Sequence, residues 1–424
     1  MILLLCLCLP AVVLGQCITD DDQKPVKDPS ARISLYKGQQ RFSIGVLKVL
    51  NEFQSDRNIF FSPHSMYQSL LLAYIAASNE TERAIQKALH LPETQSKLTT
   101  IQNYGLEKYF QSMREVNGSS DYEFKTCNKI YLSPEIKPRE CMAKLLNEEL
   151  EVVNFGEDPE SARKRINSWV EKTTKAHIKE LLSPDAVHEN TKLILANAAY
   201  FKGLWKSKFL AENTKKNSLF YVRTDDIKIV DLMAQKGTFN YMISETLKAH
   251  ILELPYKGDE ISMIVMLPPF EKNAVDDLIK RLSEDSLEDI IDFDDLYPRQ
   301  VEIEFPKFTV EQTLDMRPVF EKLGLSEVFG DEGDFSTLTG EGADVHFTDA
   351  IHKSKIEVDE DGTVAAAATA IFTFRSSRPL EPTKFIANHP FIYFIYDKMS
   401  QNILFMGVYR VPEKKYRNGK RIVP

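Results

Sequence analysis

The segment from Gly362 to Phe374, GTVAAAATAIFTF, contains no charged residue and no proline, in a chain where charged residues make up 27%. Propensity alone would make the alanine run Ala365–Ala368 helical. Its flanks argue otherwise: Ile356 and Val358 before it, and Ile371, Phe372, Thr373 and Phe374 after it, are strand formers. An exposed helix would also carry charge on its outer face. Written as a strand, Thr363, Ala365, Ala367, Thr369, Ile371 and Thr373 share one face, and Val364, Ala366, Ala368, Ala370, Phe372 and Phe374 share the other. No proline occurs before Pro379, so full pairing in a central strand is permitted. The small side chains also let such a segment slide between neighbouring strands. The residues suit an exposed loop that can later become a strand.

The length of 424 residues is enough for two or three ordinary domains. No internal repeat and no Gly/Ser linker divides it, however. Helical spacing runs through Phe42, Val46, Val49, Leu50 and Phe53, and a second helix opens at Ser62-Pro63 and continues through Leu70, Leu71, Tyr74 and Ile75. Strand patterns follow at Ile251–Leu254, at Ile261–Leu267 after a turn at Lys257-Gly258, and at Val301–Phe308. The expected class is therefore α+β, as one large domain. Acidic residues gather between Glu284 and Asp295, as a solvated helix face and loop would have them. Lys plus Arg total 53 against 62 Asp plus Glu, a formal charge of -9 that argues against a nucleic-acid partner.

Ile2–Gly15 is apolar, too short to span a bilayer, and ends in a small residue, as a secretory signal peptide does; it carries no Lys or Arg ahead of the apolar run. The expected division is a signal peptide at 1–15, an N-terminal extension at 16–30, a folded domain at 31–411 and a basic tail at 412–424. Cleavage leaves Cys17, Cys127 and Cys141, so at least one thiol is free or pairs between chains. A Cys127–Cys141 bridge and two buried thiols are equally open. Asn79-Glu80-Thr81 and Asn117-Gly118-Ser119 are glycosylation sequons. The tail carries Lys414, Lys415, Arg417, Lys420 and Arg421, fit either to touch a sulfated polysaccharide or to form a disordered, solubilising end.

No G-x-S-x-G, H-E-x-x-H, P-loop or complete G-x-G-x-x-G occurs, and Gly340-Glu341-Gly342 lacks the third glycine and preceding strand of a dinucleotide loop. The histidines are scattered, with no i, i+4 pair for a helical zinc site. An enzyme is not indicated, and no cofactor or metal is called for.

Five groups of residues in order resemble the serpin family. They are Asn58-Ile59-Phe60-Phe61-Ser62-Pro63-His64-Ser65, Asn197-Ala198-Ala199-Tyr200-Phe201-Lys202-Gly203-Leu204-Trp205, Leu254-Pro255-Tyr256 with Ile264-Val265-Met266-Leu267-Pro268, Asn388-His389-Pro390-Phe391, and Leu404-Phe405-Met406-Gly407. With the uncharged segment as the family's hinge and reactive-centre loop, the resemblance spans roughly 31–411. It implies three β-sheets, about nine helices and an exposed C-terminal loop. It also implies inhibition: a serine protease attacks the loop, and the cut loop enters the main sheet as a new strand, trapping a covalent 1:1 complex. Glu360, Gly362, Thr363, Ala365, Ala366, Ala367 and Ala368 fall in the hinge. Ser62, Ser65, Asn197 and His352 match the polar cluster beneath the main sheet, and Trp205 matches the aromatic where insertion starts. Non-inhibitory members, carriers or chaperones, often have bulky, charged or proline residues in the hinge, where this chain has Thr363 and then Ala365–Ala368. Val364 departs from the acidic residue common there and would lie on the outward face.

The family spacing of fourteen residues from Gly362 reaches Ser376, making Ser376–Ser377 the cut bond and an elastase-like protease the target. One residue earlier, Arg375–Ser376 suits a trypsin-like pocket, whose buried acid pairs with guanidinium. Arg378 is followed by Pro379, which disfavours cleavage. Arg375–Ser376 is the preferred reading. A general likeness to secreted insect serpins points to a monomeric extracellular inhibitor in haemolymph protease cascades of innate immunity.

Overall fold

The structure, a computed structural model, describes residues 17–18, 28–117, 122–291, 296–340, 345–360, 382–412, 416–417 and 420–421. In chain order the elements are α1 (Pro29–Phe53), β1 (Ile59–Phe61), α2 (Pro63–Ala76), α3 (Asn79–Ala88), α4 (Lys97–Asn117), β2 (Tyr122–Leu132), α5 (Glu140–Leu145), β3 (Leu150–Val152), α6 (Pro159–Thr173) and β4 (Leu193–Gly203). There follow β5 (Lys215–Arg223), β6 (Asp226–Ser244), β7 (Ala249–Pro255), β8 (Ile261–Leu267), α7 (Ala274–Arg281), α8 (Glu284–Ile291), β9 (Tyr297–Pro306), β10 (Phe308–Asp315), α9 (Arg317–Lys322) and α10 (Ser336–Thr339). The last are β11 (Asp349–Val358), β12 (Thr383–Ile386), β13 (Phe391–Asp397), β14 (Asn402–Tyr409), β15 (Tyr416–Arg417) and β16 (Lys420–Arg421). The described residues thus hold ten helices where about nine were expected, the tenth a single turn, and three sheets.

A five-stranded sheet has the order β10-β11-β4-β2-β3, and a nine-stranded sheet the order β1-β14-β13-β8-β7-β6-β9-β12 with β5 on β6. Leu193–Phe201, apolar except for Asn197, makes β4 a strand buried on both faces. On one face Ala196, Ala198 and Tyr200 pack on Ile166 and Val170 of α6. On the other, Phe201 joins Met263 and Tyr393 of the nine-stranded sheet. A further core gathers Leu47 of α1, Leu70 of α2 and Phe394 of β13.

The two helices read from spacing are present, and Ser62 caps α2 by accepting from the Ser65 N–H. α1 begins at Pro29, across the expected boundary at residue 31. The hairpin β7–β8 forms as expected, its turn holding Gly258 and Asp259 at positive φ. Two expectations fail. Val301–Phe308 is not one strand: β9 ends at Pro306, which has no N–H to continue a ladder, and Phe308 opens β10 in the other sheet. Cys141 bonds Cys17, with a Cα–Cα distance of 5.7 Å, rather than Cys127. Cys127 is buried on the α6 side of β2, with the α6-facing core, whereas Cys141 lies against the main core, so the two thiols are on different sides of the fold. Within the tail, Tyr416 pairs with Arg421 and Arg417 with Lys420, across the two-residue Asn-Gly spacing that favours a tight hairpin.

Candidate functional site: the seam between two parallel strands

β11 and β4 are neighbours at the centre of the five-stranded sheet and run parallel, from Asp349↔Ile194 to Ile356↔Phe201. Their outer neighbours, β10 and β2, pair with them antiparallel. The chain leaves β11 after Val358 and re-enters the described structure at β12, in the other sheet, parallel to β9. Residues 361–381 lie outside the described residues. Gly362, Thr363, Ala365–Ala368, Arg375, Ser376 and Ser377 therefore belong to the one long connection between β11 and β12.

At the exit from β11 the structure brings together two of the expected residues. The Trp205 indole Nε1 donates to the Asp359 carbonyl at 2.9 Å, and the ring stacks on Tyr256 at 4.5 Å. One residue on, the buried Glu360 carboxylate accepts from the Thr214 hydroxyl at 2.8 Å and pairs with Lys307. Burial raises the Glu360 pKa, but these partners outweigh it and hold the carboxyl below its usual range. The base of the connection is fastened by one aromatic clamp and one ionic one.

Beneath the seam Ser62, Ser65, Asn197 and His352 converge. In the β11–β4 register His352 lies beside Asn197. The His352 ring is wholly buried: Nε2 accepts from the Ser62 N–H at 2.9 Å, while Nδ1 faces Asn197 Oδ1. The first bond needs a bare Nε2, so the proton sits on Nδ1 and is donated to Asn197. Burial pushes this imidazole down to about 3, keeping it neutral. The Asn197 Nδ2 group donates to the hydroxyls of Ser65 and Ser69, each at 2.7 Å. The Ser62 hydroxyl donates to the Leu404 carbonyl at 2.6 Å, tying α2 to β14.

Two members escaped the sequence reading, Asn128 of β2 and Ser69 of α2. The Asn128 amide lies 2.9 Å from the Ser65 hydroxyl and 3.1 Å from that of Ser69. An available signal was the position of Ser69 one turn beyond Ser65 on α2. The result spans β11, β4, β2 and α2, and separating β11 from β4 must break the His352–Asn197 contact.

The remaining motifs meet at the nine-stranded sheet. His389 Nε2 donates to the Pro268 carbonyl at 2.8 Å, joining two of them. Gly407 lies where a Cβ would come within 2.6 Å of the Tyr393 ring and 2.8 Å of the Ile59 carbonyl, so only glycine fits between β13 and β1.

Against known proteins, the family described as Serpin (serine protease inhibitor) matches residues 37–412. The chain is a serpin. It is 40% identical over 422 residues to Serine protease inhibitor 88Ea of Drosophila melanogaster, covering 96% of each chain. It is 35% identical over 379 residues to the leukocyte elastase inhibitor of Sus scrofa, covering 87% of this chain and 96% of that one. A crystal structure of maspin superposes with a TM-score of 0.79 at 28% identity, covering 90% of this serpin and all of that chain. Among the described residues no group of His, Cys, Asp or Glu could hold a metal ion, and no helix is long and apolar enough to cross a membrane.

Proposed function

We propose that this serpin is a secreted, monomeric suicide substrate that traps a trypsin-like serine protease at Arg375–Ser376. The observation that carries the reading is the parallel β4–β11 pair with the uncharged connection leaving β11. A segment folding back from β11 into the seam would run antiparallel to both strands. It would replace one parallel ladder by two antiparallel ones, and antiparallel pairing is the more stable per residue. The net gain is about one ladder of backbone hydrogen bonds, on the order of 5–10 kcal/mol at about 1 kcal/mol each. Thr363 and Ala365–Ala368 meet no steric obstacle in such a move. The intact loop is held from it kinetically, through the clamp at Trp205 and Glu360 and the cluster at His352.

In the chemistry that follows, the protease serine Oγ bonds to the Arg375 carbonyl carbon and the Arg375–Ser376 C–N bond breaks. The serine proton passes through the protease histidine to the leaving Ser376 amine. Insertion then carries the acyl-enzyme away before water resolves it. Secretion is supported by the apolar Ile2–Gly15 segment and by the Cys17–Cys141 bridge, which begins just beyond it and suits an oxidising compartment. Asn79, exposed at the first turn of α3, and Asn117, the last residue of α4, are the proposed glycan acceptors. The basic tail, with Arg417 and Lys420 adjacent in its ribbon, is the proposed contact for a sulfated polysaccharide.

A second reading, cleavage at Ser376–Ser377 by an elastase-like protease, is favoured by the likeness to a leukocyte elastase inhibitor. Incubation of the purified protein with trypsin and with elastase, followed by sequencing of the released C-terminal peptide, separates the two. A complex stable in SDS with a new N-terminus at Ser376 is expected. An N-terminus at Ser377 selects the second reading, and cleavage without a complex would mean a non-inhibitory carrier or chaperone.

A further inference from the structure

A cavity of about 510 Å³ lies between α1, α2, α4 and the first residues of β2, beside the polar cluster of the seam. Its wall is mixed: Leu35, Leu71, Phe124 and Leu404 give it an apolar part, and polar and charged side chains the remainder. A volume of this size matches a small organic molecule rather than a few waters. Two polar groups in the wall, the His64 imidazole and the Tyr104 hydroxyl, have no hydrogen-bond partner among the described residues. The His64 ring packs at 5.7 Å from Phe124. Burial, aided by Arg114 and opposed by Asp397, pushes this imidazole down to about 4. At neutral pH it is an uncharged ring with one nitrogen to donate and one to accept. Both groups open into the cavity, where a ligand can reach them.

The charges around the cavity are matched already. Arg114 pairs with Asp397 at 2.6 Å and Lys175 with Glu123 at 2.8 Å, while the Tyr36 hydroxyl donates to Glu107 at 2.6 Å. A charged ligand would lose its hydration on entry and meet counter-ions that are engaged elsewhere. An uncharged one with a single hydroxyl would satisfy His64 and cover the apolar part of the wall.

We propose that this cavity binds a small, uncharged, ring-containing molecule bearing one hydroxyl, with that hydroxyl against the His64 imidazole. The test titrates the intact protein with 2-naphthol, naphthalene and 2-naphthoate by ligand-observed NMR. Saturable 2-naphthol binding at one site is expected, with naphthalene about 2- to 10-fold weaker, the worth of one net hydrogen bond, and 2-naphthoate weaker than 2-naphthol. His64→Leu should reduce 2-naphthol to the affinity of naphthalene. Gln111→Trp, on the half-buried wall of α4, should abolish binding of both without disturbing the core. Absence of saturable 2-naphthol binding, tighter binding of 2-naphthoate, or an unchanged preference for 2-naphthol in the folded His64→Leu protein overturns the proposal. So does undiminished binding to Gln111→Trp, which would place the ligand elsewhere.

Discussion

His352→Gln separates two things that the buried ring does, bridging Ser62 to Asn197 and titrating. The glutamine amide can accept from the Ser62 N–H and donate to Asn197 Oδ1, but it has no proton to gain. The native ring is held at about 3 by burial, against an ordinary value of 6.5. Because the folded value is the lower, protons bind preferentially to the unfolded chain as the pH falls through 6.5. The contribution to stability is complete above that value and is lost progressively down to about 3. One unit of difference is worth about 1.4 kcal/mol, so lowering the pH from 7 to 5 removes about 2 kcal/mol through this residue.

The assay is urea unfolding of wild type and His352→Gln at pH 7, 6 and 5, followed by tyrosine and tryptophan fluorescence. His64, likewise displaced downward, is present in both proteins and cancels in the difference. Wild type should lose about 2 kcal/mol more than the variant over this range. At pH 7 the variant should be less stable by about 1–3 kcal/mol if either bond is lost. Equal pH slopes for the two proteins would refute the argument, since they would mean that the native ring takes up its proton near 6.5 and is not confined beneath the seam.

Trp205→Phe keeps an aromatic ring on Tyr256 but loses the bond to the Asp359 carbonyl, and should lower stability by about 1 kcal/mol in urea unfolding. Reduction of Cys17–Cys141, which closes a separation of 124 residues, should lower stability by about 2–5 kcal/mol, read as a fall in melting temperature with reductant. Cys127, whose thiol burial pushes up to about 12, should resist iodoacetamide in the folded protein and react after unfolding. For Glu360→Gln, the wild-type advantage should be complete above the ordinary carboxylate value of 4.5 and shrink as the pH falls below it, because the folded carboxyl titrates lower. Parallel acid-unfolding curves for the two proteins would contradict that.

What was legible in the sequence divides by the distance over which the signal acts. The cap on α2 is written in Ser62 and Ser65, three residues apart, and the β7–β8 turn in Gly258 and its neighbours. The nearly unbroken apolar run of β4, interrupted only at Asn197, announces a strand covered on both sides. By contrast, Val301–Phe308 looked uniform because nothing local says that a chain changes sheets, and only the partners of Pro306 and Phe308 reveal it. Cys17 and Cys141 meet across 124 residues, and spacing within the chain cannot rank that pairing against Cys127 with Cys141.

The seam shows the same limit more sharply. Ser62 reaches His352 across 290 positions, and His352 reaches Asn197 across 155. No periodicity links such residues, and family resemblance alone placed Ser62, Ser65, Asn197 and His352 together. It did not supply Asn128 or Ser69, which complete the hydrogen bonding and sit outside the matched motifs. Their role follows from satisfaction of polar groups: Asn197 Nδ2 donates to both serine hydroxyls, and both hydroxyls lie within hydrogen-bond reach of the Asn128 amide. The seam is therefore held by a network whose members depend on one another across four elements. Under the proposed function, a loop segment entering between β4 and β11 would have to break the His352–Asn197 contact, so the polar cluster is one of the elements that such an opening must overcome.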